Sequence, residues 1–150
     1  MSLVPTSVSI LSCFDGSVIY GCTISSLVSV DVQEENPEII FVLKKQSLVG
    51  DKIKTNDFFS INVLSENQDS LAKKYSTNRL PERSLDPDWK INNNFAELLS
   101  CRAILNCKLL EIYDTHAADI YIGTVMSYSG VRNQLPLIYD SRRYGKYQAI

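Results

Sequence analysis

The sequence has few of the residues on which catalytic and nucleotide-binding motifs are usually built. It holds a single histidine, His116, so no histidine-based metal cluster can form, and we expect no metal. Its six glycines form neither a GxGxxG nor a Walker-type loop, and no GxSxG elbow is present. If this protein performs difficult chemistry, a bound group is expected to supply the reactivity.

An excess of one charge and long apolar runs are missing as well. The net charge of -2 gives no electrostatic reason to expect a nucleic acid or an anionic membrane as partner. No apolar run approaches the ~20 residues that span a bilayer. The amino terminus, MSLVPTSVSILSC, has no basic region or cleavage-like site, so no secretory signal is expected.

Cysteine pairs at metal-binding or redox spacing are absent. The four cysteines, Cys13, Cys22, Cys101 and Cys107, include no CxxC pair. They are best explained as small buried hydrophobic residues in a reducing compartment, so we expect a cytoplasmic protein.

The 150 residues contain many short apolar runs, which predict a mainly β protein with a few short helices. The length is typical of one domain, and we expect a single domain over residues 1–150. Strands are predicted at 7–13, 18–24, 38–43, 58–64, 103–113 and 120–128, with a short apolar piece at 137–139 before a basic tail. Asp15-Gly16 between the first two strands is a hairpin signal. This pattern favours a β-barrel with helical decoration.

Two helices and one long loop complete the prediction. Ser47 is a plausible N-cap for a helix over 47–55. Residues 65–68, Ser-Glu-Asn-Gln, fit a capping box that opens a helix with Leu71, Ala72 and Tyr75 on one face. Residues 76–95 are rich in Asn, Pro, Asp and Arg and are predicted to be a long polar loop, either a lid or a binding segment.

Two polar segments are candidates for binding. In the stretch Gly21 to Val30, GCTISSLVSV, a buried strand gives way to hydroxyl-bearing residues, which can bond the rim of a planar heterocycle. The alternative is a serine-rich turn that satisfies its own backbone. Residues 44–47, Lys-Lys-Gln-Ser, precede the first helix, and helix amides with lysines and a serine suit a phosphate. The alternative there is a solvated turn with an ordinary N-cap.

Several motifs in order resemble the flavin reductase-like family, whose members have an FMN-binding split β-barrel. They are PTSVSILS, GCTISSLVSV, Pro37-x-I-I-F-V-L, Ser47, Phe59-S-I-N-V-L and ENQDSLAKKY, followed by Asn106-C-K-L, Ile122-G-T-V and Pro136-L-I-Y through Arg143-Tyr144-Gly145. No single motif is diagnostic, but together they cover nearly the whole chain.

The resemblance implies the residues of the site. The isoalloxazine and ribityl chain would be contacted by Thr23, Ile24, Ser25, Ser26 and Ser29, with Thr23, Ser25 and Ser26 donating hydrogen bonds to the ring. The phosphate would be held by Lys44, Lys45, Gln46 and Ser47. Asn62 would lie close to the flavin, and Arg143-Tyr144 would close over the site or the dimer partner.

Two positions depart from the family's pattern. Val49 stands where the phosphate segment commonly has threonine, and Ala118 stands where many reductases carry a histidine. His116, two residues upstream, is the candidate substitute, and an exposed loop histidine is the alternative.

By resemblance, the protein is expected to be a homodimeric flavin reductase. It would use NADH or NADPH to reduce FMN, or FAD, and would pass reduced flavin to a partner monooxygenase or hand its electrons on. The rivals are a non-enzymatic FMN-binding electron carrier and a flavin-free barrel used for protein interaction.

Overall fold

A computed structural model describes residues 3–31, 35–77, 82–83 and 88–150, with residue 31 and the pair 82–83 described by their backbone alone. Its two helices are α1, Leu48–Asn56, and α2, Asp69–Tyr75. Its strands are β1 (Thr6–Ser7), β2 (Ser9–Phe14), β3 (Val18–Ile24), β4 (Val28–Asp31), β5 (Glu38–Lys44), β6 (Phe58–Val63), β7 (Glu82–Arg83), β8 (Trp89–Asn92), β9 (Phe95–Leu98), β10 (Ala103–Asp114), β11 (Ala118–Gly130), β12 (Leu137–Asp140) and β13 (Arg143–Lys146). The predicted mainly β fold with a few short helices is therefore confirmed. Within the described ranges, no helix is long and apolar enough to cross a membrane.

Eight strands form the main sheet in the order β4-β5-β11-β10-β6-β2-β3-β7. Side chains alternate across this sheet, so each strand contributes every second residue to the barrel interior. The interior cluster includes Leu11, Phe41, Phe59, Ile61 and Tyr121. Phe41 stacks on Tyr121 with ring centroids 5.0 Å apart and meets Phe59 edge-on at 5.2 Å. Val49 and Ile53 of α1 join the same cluster.

The outer face of β2, β3 and β6 carries a second core. Helix α2 and the hairpin β8–β9 pack there, with Ala72, Tyr75, Trp89 and Leu98 buried against Ile10. The indole N–H of Trp89 donates to the Tyr75 hydroxyl at 2.9 Å. One half of the barrel wall is therefore covered on both sides.

The local signals at the hairpin and the first helix are confirmed. Asp15 accepts hydrogen bonds from the amides of Ser17 and Val18 in the turn between β2 and β3, and Gly16 takes φ +94°, which suits glycine. Ser47 is the N-cap of α1 and accepts from the Gly50 amide at 3.2 Å. Only half of the predicted capping box forms: the Gln68 side chain accepts from the Ser65 amide, but α2 begins at Asp69.

The prediction of a long polar loop over residues 76–95 is wrong at its carboxyl end. Strand β8 begins at Trp89, whose side chain is buried, and pairs with β9. The hairpin was not predicted because only alternate residues of β8 and β9 face the core, and the others make the segment polar overall. Residues 78–81 and 84–87 of the predicted loop lie outside the described part of the chain. Strands β4 and β13 were also not predicted from the sequence.

Candidate functional site

The first candidate segment is the barrel loop, residues 25–27, between β3 and β4. Because β3 lies near one end of the main sheet and β4 at the other, this loop crosses the gap where the barrel closes. The Val42 amide donates to Ser26 Oγ at 3.0 Å, and the Ser26 hydroxyl donates to the Val42 carbonyl at 3.2 Å. The Ser26 side chain thus continues the pairing of β5 beyond the end of β4.

The barrel loop leaves its own backbone amides open. Within the described residues, no backbone hydrogen bond is made by residues 25–27, and Ser25 is exposed. A backbone amide that finds no partner in the protein must bond to water or a ligand. The loop therefore offers a short row of donors at the barrel rim.

The neighbouring side chains of the predicted ring site are largely committed to the fold. The Thr23 hydroxyl donates to the Ala72 carbonyl of α2 at 2.7 Å. Ile24 is buried in the interior cluster, whereas Ser29 is exposed on β4. The hydroxyls of Thr23 and Ser26 therefore bond backbone groups far along the chain, and not the backbone of their own turn, which the alternative to a ring site predicted. The ligand-contacting role of these residues stays a prediction.

The second segment is the basic turn, residues 44–47, between β5 and α1. The Ser47 amide donates to the Lys44 carbonyl at 3.0 Å, which closes the turn. Lys44 is exposed and makes no ion pair or hydrogen bond with any described side chain. The amides of Leu48 and Val49, in the first turn of α1, also have no partner in the described chain. A lysine beside open helix amides suits a phosphate group.

The two segments lie close together. Val42, which Ser26 contacts, and Lys44 are two residues apart on the same strand, and their side chains share its outer face. That spacing corresponds to about 7 Å along a strand. The structure therefore brings the predicted ring and phosphate segments to one rim of the barrel.

Lys45 is already paired. Its ammonium group bonds to Asp114, which lowers the pKa of that carboxyl. Gln46 is exposed with no hydrogen bond in the described chain. Of the predicted phosphate residues, Lys44 is thus the cation free to meet a ligand.

His116 lies at the tip of the hairpin β10–β11, beside the basic turn. Ala118 pairs with Lys44, and Thr115 closes the hairpin turn by donating its hydroxyl to the Ala118 carbonyl at 2.6 Å. Lys54 bonds Asp119 at 2.8 Å, and the His116 side chain is exposed. This tight turn has little slack with which to reposition His116.

The Cys22 thiol lies beside the basic turn and forms a side-chain hydrogen bond with Ser47. Burial raises the pKa of the Cys22 thiol to about 12, and a hydrogen bond with Ser47 opposes this only partly. A thiol with so high a pKa stays protonated at neutral pH and is a poor nucleophile. Within the described residues, no group of three or more His, Cys, Asp or Glu side chains is placed to hold a metal ion.

The side chain of Asn62 lies away from both segments, and its closeness to the ligand stays a prediction. Asn62 is fully buried on the outer side of β6, beneath the hairpin β8–β9. Its amide donates to the Ile10 carbonyl and the Ser12 hydroxyl, and its carbonyl accepts from the Leu98 amide at 2.8 Å. All its hydrogen-bonding groups are used, so the side chain fastens the hairpin to the barrel.

Tyr144 lies in neither segment. It is half-buried on β13, with its ring 5.2 Å from that of Tyr139, and it lines a separate cleft beside α2. Burial raises the pKa of the Tyr144 hydroxyl, which therefore stays protonated at neutral pH.

Sequence reasoning missed the backbone donors. Every residue except proline carries a backbone amide, so the residue types alone do not show that the amides of residues 25–27, 48 and 49 lack a partner in the described chain. The signal that pointed to them was indirect: a cluster of hydroxyls at a strand end, and an N-cap after two lysines.

The fold and these two segments define a class: a mainly β barrel whose rim can hold a planar, phosphorylated ligand. Residues 1–148 match the model of the flavin reductase like domain, so the chain belongs to that family. The resemblance drawn from the sequence, and with it the flavin reductase class, is confirmed.

Two curated relatives and a solved structure illustrate the family. The chain is 26% identical over 140 residues to the reductase subunit HsaB of a flavin-dependent monooxygenase from Rhodococcus jostii, covering 93% of this chain and 70% of that protein. It is 26% identical over 129 residues to the reductase component of an FADH(2)-dependent resorcinol hydroxylase from a Rhizobium species, covering 83% and 70%. The NADH:FAD oxidoreductase SgcE6 of Streptomyces globisporus superposes with a TM-score of 0.89 at 17% identity, covering 99% of this chain and 89% of that one.

Proposed function

We propose that this protein uses NADH or NADPH to reduce FMN or FAD and supplies the reduced flavin to a partner monooxygenase. The observation that carries the proposal is the pair of adjoining segments at the barrel rim, in a chain of the flavin reductase-like family. Both curated relatives are named as reductase components of oxygenating systems, which supports the partner.

The chain's own residues would bind and orient the flavin. The open amides of the barrel loop would donate to the polar edge of the ring system, and Ser26 holds that loop in place through Val42. Lys44 and the first amides of α1 would hold the phosphate. A bound flavin would supply the hydride acceptor, and the amides of the barrel loop, already fixed in place, would stabilise negative charge on its ring.

Flavin binding is the first test of this proposal. Fluorescence titrations with FMN, FAD and riboflavin should show saturable binding of the ring system. FMN should bind more tightly than riboflavin because only FMN carries the phosphate. Failure of all three to bind would support the rival of a flavin-free barrel.

We also propose a homodimer in the cytoplasm. The outer face of β4, β5, β11 and β10 carries an apolar patch, here called the bare face: Val28, Ile40, Val42, Tyr113, Ile120 and Ile122. No described helix or strand covers this face, and Val28 is accordingly 59% and Tyr113 49% exposed. An exposed apolar patch of this kind favours an interface, and the four free cysteines favour a reducing compartment.

Ile120→Lys is expected to turn the dimer into a monomer, because Ile120 lies opposite Tyr113 and Val42 on the bare face, and a lysine buried there has no carboxylate directly opposite to pair with its charge. Light scattering should give twice the chain mass of 16.9 kDa for the native protein and a single chain mass for the variant. Leu99→Lys, an exposed apolar position outside the bare face, should remain dimeric. A native protein that is monomeric at micromolar concentration with flavin bound would contradict the proposal.

His116→Ala is expected to leave flavin affinity unchanged and to alter kcat/KM by less than about tenfold, or ~1.4 kcal/mol. The imidazole is exposed at the tip of a tight turn and forms no bond with a described side chain. Steady-state kinetics with NADH would check this. A loss of several hundredfold would instead show that His116 serves the nicotinamide.

A further inference from the structure

Gly50 lies in the first turn of α1, where glycine is disfavoured. Inside a helix glycine is less favourable than alanine because it loses more conformational freedom on folding. The backbone φ of Gly50 is not positive, so the local conformation does not require glycine. A Cβ atom at this position would lie 2.6 Å from the Tyr121 hydroxyl oxygen and 3.3 Å from Leu43 Cδ1. The Tyr121 hydroxyl therefore occupies the space that a side chain would need.

The Tyr121 side chain has no room to move aside. It lies in the interior cluster of the barrel, is 1% exposed and stacks on Phe41. The Lys54 ammonium donates a hydrogen bond to its hydroxyl and lies 5.9 Å from the centre of its ring. Burial raises the pKa of the hydroxyl, which therefore stays neutral at pH 7 and adds no charge that would repel a phosphate. The hydroxyl is thus a fixed group against which α1 packs.

A second contact fastens α1 to the same strand. Lys54 bonds Asp119 at 2.8 Å, and Asp119 lies two residues before Tyr121 on β11. Gly50 and Lys54 are four residues apart, so they share one face of α1. The hydroxyl contact at Gly50 and the ion pair one turn later therefore set the position of α1 against β11.

The open amides of α1 directly precede this contact. The Leu48 and Val49 amides have no partner in the described chain, and the Gly50 amide donates to Ser47 Oγ at 3.2 Å. A shift of the backbone at Gly50 would therefore carry the two open amides with it. Good N–H···O hydrogen bonds span only about 2.7–3.2 Å between donor and acceptor, so even a small shift weakens them.

We propose that Tyr121 is a positioning residue for phosphate binding. Its hydroxyl sets the distance between the first turn of α1 and the barrel, and thereby the place at which the Leu48 and Val49 amides meet the phosphate of the flavin. The phosphate as ligand rests on the proposed function, whereas the contact that sets the position of the amides is a feature of the fold. Tyr121 acts through α1 and does not itself bind the ligand.

Gly50→Ala tests the spacing between α1 and the barrel. The added methyl group can reach an ordinary contact distance from the Tyr121 hydroxyl only if the first turn of α1 moves outward. FMN affinity should fall at least about tenfold, because the displaced amides lose their charge-assisted bonds to the phosphate. Riboflavin has no phosphate and should bind the variant as it binds the native chain. Fluorescence titrations measure both ligands.

Tyr121→Phe tests the same contact without adding an atom. The ring keeps its place on Phe41, but α1 loses the group that sets its position, so FMN affinity should fall severalfold and riboflavin affinity should stay constant. In the double variant Gly50→Ala/Tyr121→Phe, the methyl group fills the space of the lost hydroxyl. FMN affinity should then return close to the native value, a rescue that two independent losses would not give.

Gly123→Ala is the matched control. Gly123 lies on the same strand as Tyr121, and a Cβ atom there would also come within 2.6 Å of a ring atom, Cζ of Phe59. The nearest atoms to that Cβ belong to Phe59 and Lys108, outside α1. The control should lose stability in urea and keep the native ratio of FMN to riboflavin affinity. This ratio therefore separates a positioning role from general strain in the barrel.

The proposal is overturned if either single variant keeps its FMN affinity or loses affinity for FMN and riboflavin alike. It is also overturned if the double variant binds FMN no better than Gly50→Ala, or if the control loses as much of the ratio. If Gly50→Ala does not fold, Tyr121→Phe alone decides the outcome. Absence of NADH and NADPH oxidation with every flavin would reject the proposed function, and the titrations would still decide the role of Tyr121.

Discussion

Asn62→Ala should lower the free energy of unfolding by about 3 kcal/mol or more, since each buried group left without its partner costs roughly 1–3 kcal/mol. The substitution leaves the buried Leu98 amide without its partner and removes one hydrogen bond each from the Ile10 carbonyl and from the Ser12 hydroxyl, which still donates to the Ala96 carbonyl. Urea denaturation would measure the loss. Flavin affinity of the folded fraction should not change, because Asn62 has no exposed atom.

Asn133→Ala provides the control, because this asparagine is exposed in the turn after β11 and should leave stability nearly unchanged. Two results would contradict the assignment of Asn62 to the fold. One is a variant as stable as the native chain, and the other is a native-like stability curve together with a large loss of flavin affinity.

The second prediction concerns Lys44. Lys44→Ala should weaken FMN binding about tenfold or more, since a charge-assisted hydrogen bond contributes roughly 1.5–3 kcal/mol. Riboflavin has no phosphate and should bind the variant as it binds the native chain. Lys45→Ala should have a smaller effect on FMN, because Lys45 is already bonded to Asp114. Paired fluorescence titrations would measure both ligands.

Asp114→Asn tests the basic turn by a substitution that is expected to raise FMN affinity. It removes the charge that holds Lys45, so a second cation becomes available and FMN affinity should rise while riboflavin affinity stays constant. Lys90→Ala controls for the loss of one exposed charge. Equal changes for FMN and riboflavin in the Lys44 variant would show that the basic turn does not hold the phosphate.

The elements that the sequence predicted well depend on local chemistry. Asp15-Gly16 and the Ser47 cap act within a few residues, and both form as expected. Dense apolar runs predicted β5 and β6 because a buried strand needs little besides apolar side chains. Such features can be derived from neighbouring letters alone.

The parts that were missed depend on partners far along the chain. Thr23 and Ser26 looked like free donors, but their partners Ala72 and Val42 lie 49 and 16 residues away. Asn62 could be assigned to the face opposite Ile61 by alternation. The hairpin β8–β9 covers this face, and the polar composition of the hairpin kept it from being predicted. The sequence therefore indicated the two segments that the fold brings together, whereas the hydrogen-bond partners of their side chains could not be predicted from it.

The central claim is that this barrel catalyses flavin reduction rather than merely carrying a flavin. The most direct measurement is the initial rate of NADH and NADPH oxidation by the purified full chain, with increasing FMN, FAD or riboflavin. We expect a rate that is negligible without flavin and rises to saturation with added flavin. Tight flavin binding with no oxidation of either nucleotide above the rate of free flavin would contradict it and leave an electron carrier.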